Sequence, residues 1–530
     1  MNVSSRGKGS AHTRRAAIAL ACAGVFVAYL PVTTVAVSLP EIQRALETST
    51  AQLSWVQDAF VLPVAALILT AGVFGDVHGR KKVYRVGMAL CALGALVALC
   101  APSVQVLWAG QALSGAGAAA LLPVTLALIS HAVPDPHERG RYIGLWTTCM
   151  MGAMVVGPLV AGTLLRHVDW RWIFLLPIPV ALATMAAAAR LPDEPGAPGA
   201  RRLDWPGQAT AAVAITALVY GVIEGGAESF AHPRTIAALA LAVVSAAAFV
   251  VIETRSASPM LDLSLFRSPA FTASALVAMI SFLGLIGFFF VLSLYFGMVQ
   301  RLDVLESAVR MVLVNVVSML LGVAMGRVMR HVSARALITA GMLVAAVALL
   351  ALTTVGADTS FWSVAWRLCL LGFGLGIALP CITGTAIAAV PLRQAGMAAA
   401  GNNAFRQVGA ALGPAVLGAL LTVTATGELP ARLAAAGVTG ERADQVTSAV
   451  DAGGLGAAAR LDLGADTGRV LGAVSESFLG GLRLCLIVSA VLLVLAAGAA
   501  AVLLRRPRPA PGTPAAYDED DRSRTSGAVV

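Results

Sequence analysis

Apolar residues run through the chain in long blocks, and polar residues gather in short breaks between them. The blocks lie near 16–39, 52–74, 83–101, 104–130, 142–165, 171–190, 206–226, 234–252, 270–297, 307–328, 335–356, 361–390, 403–424 and 479–504. Each approaches or exceeds the roughly 20 residues that a membrane-crossing helix needs. The breaks carry turn chemistry, as in Pro102-Ser103, Pro134-Asp135-Pro136 and the run from Pro192 to Gly196. Two stretches break the pattern. Residues 425–478, rich in Ala and Gly, are expected to form an outward loop with a surface helix around 430–450. Residues 505–530, basic and then acidic, are expected to be a disordered tail. The pattern predicts an all-α integral membrane protein with fourteen spanning helices.

Composition sharpens this picture. Of 530 residues 58% are hydrophobic and only 12% charged, against about 25% charged in soluble domains. That excludes an ordinary soluble enzyme and a disordered chain. A net charge of +9 in a soluble protein would suggest nucleic acid. Here most Lys and Arg fall in the breaks on one side of the predicted membrane, so positive-inside topology accounts for them and no nucleic-acid partner is expected. Both termini are then cytoplasmic, in a multi-pass protein of the cell membrane. Trp55, Trp108, Trp170, Trp172, Trp205 and Trp362 sit near block ends, as interfacial aromatics do. The first block lacks a trusted A-x-A cleavage pattern and reads as a retained helix. All seven cysteines lie in apolar stretches without a CxxC pair, which argues against a disulfide framework or zinc site. The histidines form no spaced cluster. No metal, cofactor or catalytic constellation is expected.

The chain repeats itself. Gly72 and Gly87 reappear as Gly326 and Gly341, an offset of 254. Gly115, Gly117 and Pro123 reappear as Gly372, Gly374 and Pro380 at 257, and Gly157-Pro158 as Gly413-Pro414 at 256. The first six helices therefore match the last six, and the seventh and eighth are an inserted pair. The expected segments are 1–15 (cytoplasmic), 16–190 (first bundle), 191–269 (inserted helices and linkers), 270–504 (second bundle, with loop 425–478) and 505–530 (tail). Repeated halves with a substrate site between them are the build of secondary transporters. The chain has no GxxxxGK[ST] phosphate loop, so an ion gradient is the expected energy source.

These residues resemble a known family. Gly72-Val73-Phe74-Gly75-Asp76-Val77-His78-Gly79-Arg80-Lys81-Lys82 resembles the loop signature of the major facilitator superfamily, G-x-L-a-D-r-x-G-r-k. Gly152 through Gly157-Pro158-Leu159-Val160-Ala161-Gly162 resembles the fifth-helix antiporter signature, with Ala161 in place of a glycine. Trp170-Arg171-Trp172, Pro259-Met260-Leu261-Asp262-Leu263 and Phe405-Arg406-Gln407-Val408-Gly409 resemble the fourteen-helix drug:proton antiporter branch. The resemblance covers residues 15–505. It implies two pseudo-symmetric six-helix bundles and export of drug-like or antibiotic small molecules, the chemistry of antibiotic resistance. Two departures bear on proton coupling in that branch: Pro31 replaces the first-helix acid, and Gln111 stands where the fourth helix carries an arginine.

Residue chemistry then supplies candidates. Gly72, Gly75, Asp76, Gly79 and Arg80 would form a cytoplasmic latch, Asp76 taking hydrogen bonds from the other half and Arg80 pairing with a carboxylate. Gly152, Gly157, Pro158 and Gly162 would form a fifth-helix hinge. Asp58, inside the second helix, is the proton-coupling candidate that replaces the missing acid, because an intramembrane carboxylate must be paired, protonated or wetted. Gln57, Gln111, Trp146, Met150 and Met151 are the expected cavity wall, Met offering adaptable contacts. Arg310 is expected to pair with Asp303 or Glu306. Arg406 and Gln407 are expected to open the thirteenth helix, with Arg406 snorkelling to the cytoplasmic face. The expected partners are a small-molecule substrate, protons and the lipid bilayer, with the protein acting as a monomer. The alternative is uptake or facilitated diffusion of a small metabolite without proton exchange.

Overall fold

A computed structural model describes residues 3–133, 136–189, 204–256, 258–329, 331–390, 395–461 and 466–504. The expected tail and the linker at 191–203 lie outside the described residues. The helices are α1 (Val3–Leu46), α2 (Thr50–His78), α3 (Arg80–Leu99), α4 (Val104–Ala132), α5 (Pro136–Leu164), α6 (Pro177–Ala189), α7 (Trp205–Ala227), α8 (Pro233–Arg255), α9 (Pro269–Leu294), α10 (Val304–Val328), α11 (Ala334–Leu352), α12 (Phe361–Ala388), α13 (Ala395–Ala435), α14 (Glu441–Gly453) and α15 (Thr467–Leu503). All except α14 belong to 14 spans long and apolar enough to cross a membrane, α6 together with the 3-10 turn Trp170–Leu175 that leads into it.

Local chemistry sets the helix starts. Ser49 and Gln52 form a reciprocal capping box at α2. Asp204 caps α7 with Pro206 just behind it, and Ser268 with Pro269 does the same for α9. Prolines lie inside α1, α2, α4, α5, α12 and α13. Membrane helices accommodate them because neighbouring groups satisfy the freed carbonyls.

The repeat is visible in the packing. Gly115 of α4 lies against the Phe60 carbonyl of α2, so that a Cβ would fall 2.1 Å from it; Gly372 of α12 lies likewise against the Val314 carbonyl of α10, at 2.5 Å. Gly117 meets Gly87 backbone to backbone between α3 and α4, and Gly374 meets Gly341 between α11 and α12. Helices α1–α6 and α9–α13 with α15 are thus two copies of one arrangement. The copies meet along a seam where α2 packs on α13 and α5 on α10. Inserted α7 lies against α2 and α13 together, the Trp55 ring tilted against that of Tyr220 and Gly226 abutting Ala419, while α8 packs on α7.

The second long connection differs from expectation. Helix α13 starts eight residues before the predicted block and runs past Pro430 to Ala435, and α15 starts at Thr467, so much of 425–478 is helix. Runs of Ala, the strongest helix former, extend both ends of α13. The 3-10 turn Leu455–Arg460 lies over the α1–α2 turn, with the short α14 packed on it and on α13. There Val446, Val450, Leu455 and Ala458 join the core that contains Leu39 and Ile42. This end, away from α1's start and α15's finish, is called distal below.

A central cavity and a seam acid

Mid-helix side chains from both halves line two small adjoining chambers, each with about 20 Å³ of free space. Tyr29, Met154 and Phe282 line both. The walls come from matching positions. Phe60, Val61 and Val64 of α2 correspond by the repeat to Val314, Asn315 and Ser318 of α10. Ala118 and Leu122 of α4 correspond to Leu375 and Leu379 of α12. Met150 and Met151 of α5, expected as wall residues, do line the cavity, and their repeat mates are Arg406 and Gln407 of α13.

Three other expected wall residues lie elsewhere. Gln111 is buried and donates to the Val56 carbonyl at 3.2 Å, tying α4 to α2. Trp146 donates its indole N–H to Thr125 Oγ1 at 3.0 Å and packs in the first half. Gln57 is buried on α2 and is absent from the lining of either chamber. Helices this apolar on every side carry no stripe that marks the inward face.

Arg406 also departs from expectation. The early start of α13 places it three turns inside the helix, where its guanidinium lies 4.2 Å from the Phe282 ring centroid rather than snorkelling outward. Arg310 does not reach either expected carboxylate. It donates to the Glu306 backbone carbonyl at 3.0 Å and faces the Phe361 ring, because Asp303 is taken by Arg166 of the other half. Asn315 donates to the Met154 carbonyl at 3.3 Å, across the seam.

Asp58 lies eight residues after the start of α2, about 12 Å along its axis. It is fully buried, and neither carboxyl oxygen has a hydrogen-bond partner among the described residues. One turn earlier on the same face, Ser54 sits against Pro414 and Gly418 of α13. One turn later Val61 and Leu62 follow, Val61 on the cavity wall. The acid therefore occupies the α2 segment between the distal seam and the cavity. Its repeat mate is the buried Val312, so the fold itself does not call for an acid there.

Comparison with known proteins fits this geometry. The sequence pattern of the Major Facilitator Superfamily matches residues 21–414. The chain belongs to the major facilitator superfamily. It is 32% identical over 76% of its length to the methylenomycin A resistance protein of Streptomyces coelicolor, covering 84% of that protein. It is 30% identical to the multidrug efflux pump LfrA of Mycolicibacterium smegmatis, over 93% of this chain and 97% of that one. Among solved structures it resembles a bacterial homologue of the human lysosomal transporter Spinster, inward-facing and unoccupied, with a TM-score of 0.65, 16% identity, and coverage of 94% of this chain and 99% of that one. It is a multi-pass membrane protein of a transporter superfamily.

The two superfamily signatures fall as follows. Gly79 takes φ +90° between α2 and α3, a left-handed value suited to glycine. Gly75 packs on Val124 and Gly72 on Pro123, while Arg80 Nη1 reaches the Ala127 carbonyl of α4 at 3.5 Å. These contacts bind the loop to the last turns of α4 in its own half, where a cation favours the helix C-terminus. The Asp76 side chain lies outside the described residues. On α5, Gly157 presses on Thr33, Thr34 and Leu30 of α1, beside Pro31, and Gly162 presses on the Leu305 backbone of α10. Gly152 has nothing near its Cβ position and makes no close approach. Pro158 lies inside α5, and Ala161 is buried.

Proposed function

We propose that the protein exports drug-like or antibiotic small molecules across the cytoplasmic membrane in exchange for protons, by alternating access of the central cavity. Both termini are cytoplasmic and the distal end faces outward, as the placement of Lys and Arg supports. The two six-helix units, near 16–190 and 270–504, rock about the cavity with α7 and α8 as an inserted pair.

The observation that carries the reading is Asp58: an unpaired, fully buried acid beside the α2–α13 seam, at a position where the repeat has valine. A carboxylate anion without partners is costly in such a place. Closure of the distal seam then accompanies the protonated acid, and release of the proton toward the cavity prepares the seam to reopen outward with substrate. The resistance and efflux proteins among the relatives support a drug or antibiotic as cargo. The α2–α3 turn and the Gly157–Pro158 segment act as latch and hinge of this motion.

A drug-susceptibility panel in an efflux-deficient bacterial host tests the reading. The wild-type protein is expected to raise resistance to some compounds, and an uncoupler or Asp58→Asn to remove that gain. Drug accumulation that ignores the uncoupler contradicts proton exchange and favours facilitated diffusion.

A further inference from the structure

We propose that the cavity selects organic anions: a flat apolar body carrying a carboxylate or similar oxyanion, held by Arg406. The inference rests on the export reading and names the cargo's chemistry.

Among the side chains lining the two chambers, Arg406 is the single charged one, and no acid lines either chamber. Among the described residues its guanidinium has no hydrogen-bond or ion-pair partner, and its Nε is buried without one. Its described contact is the Phe282 face. An unpaired cation at this depth is expensive in a membrane protein and points to a function. The fold does not demand it, since the repeat mate is Met150, which fills the same place without charge. The planar fork offers several parallel donors, the geometry that holds a carboxylate bidentately. Stacking on Phe282 leaves the fork's edge free to donate.

The remaining wall suits an aromatic body. Phe60, Phe282 and Tyr29 supply flat surfaces, and Met150, Met151 and Met154 adaptable ones. Tyr29 and Gln407 have no hydrogen-bonding side-chain partner among the described residues and add polar groups beside the cation. A cationic drug would meet Arg406 with no wall acid to offset it.

The test uses three probes of one shape in everted vesicles carrying the full-length protein: 2-naphthoate, neutral 2-naphthamide and 2-naphthylmethylammonium. The wild-type protein is expected to transport naphthoate best. Arg406→Gln is expected to lower the naphthoate-to-naphthamide preference by at least about tenfold, the effect of losing one good charged contact, and Arg406→Lys to keep part of it. If Arg406→Gln does not accumulate in the membrane, the wild-type order and Arg406→Lys decide. No preference for naphthoate, no transport of any probe, or an equal fall for all three in Arg406→Gln overturns the proposal. If the ammonium or the amide is carried best, anion selection fails and export stands. If no compound of the susceptibility panel is exported either, the export reading fails as well.

Discussion

Leu305 Cα lies 2.6 Å from where a Cβ on Gly162 would fall, so the two halves touch backbone to backbone at the distal end. Arg166 and Asp303 pair across the same seam, and Gly297 packs on Pro40 nearby. Distal closure therefore depends on a missing methyl group. Gly162→Ala is expected to weaken it by about 1–3 kcal/mol, the usual effect of overpacking. A buried Ser307→Cys reporter then reacts several-fold faster with an impermeant maleimide added outside. An unchanged labelling rate would show that the contact does not hold the closed state.

Gly157 and Gly152 share one signature but not one role. A Cβ at 157 would meet Thr34 Oγ1 at 2.6 Å, whereas one at 152 meets nothing within 4 Å. Gly157→Ala should lower stability by about 1–3 kcal/mol. Gly152→Ala should be neutral or stabilising by up to about 1 kcal/mol, through helix propensity alone. Thermal unfolding in detergent separates the two. Equal effects would contradict the packing argument.

The distal cap offers a third test. Leu455 is buried in the core cluster it shares with Ile42 and Leu39, and its neighbours Gly454 and Gly456 lie against Thr50 and Gln43. Leu455→Ala should cost about 2–5 kcal/mol if the cap packs as a core. A loss below about 0.5 kcal/mol, typical of surface positions, would show a loose loop. Unfolding of the variant in detergent gives the answer.

The helices were legible because about twenty apolar residues between polar breaks have one economical fate in a bilayer. The repeat was legible because glycines at close helix crossings tolerate no side chain, as Gly117 against Gly87 and Gly374 against Gly341 illustrate. The cavity wall was only half legible. Gln57, Gln111 and Trp146 are polar or amphipathic residues in apolar helices, yet Gln111 and Trp146 bond to neighbouring helices instead of facing the cavity. Hydropathy also cut α13 short, which put Arg406 at the membrane surface. The repeat held the missing signal: the offset relating Gly157 to Gly413 carries Met150 and Met151 onto Arg406 and Gln407. Asp58 was found because a carboxylate inside an apolar run stands out without any knowledge of facing.

The most direct test of proton exchange is a pH measurement inside proteoliposomes. A compound that the susceptibility panel shows to be exported is supplied on one side as a gradient. With the wild-type protein its downhill movement should drive protons the opposite way and shift the lumenal pH. With Asp58→Asn the compound should still equilibrate while the pH shift disappears. A pH shift in Asp58→Asn equal to that of the wild type would contradict the assignment of the coupling acid.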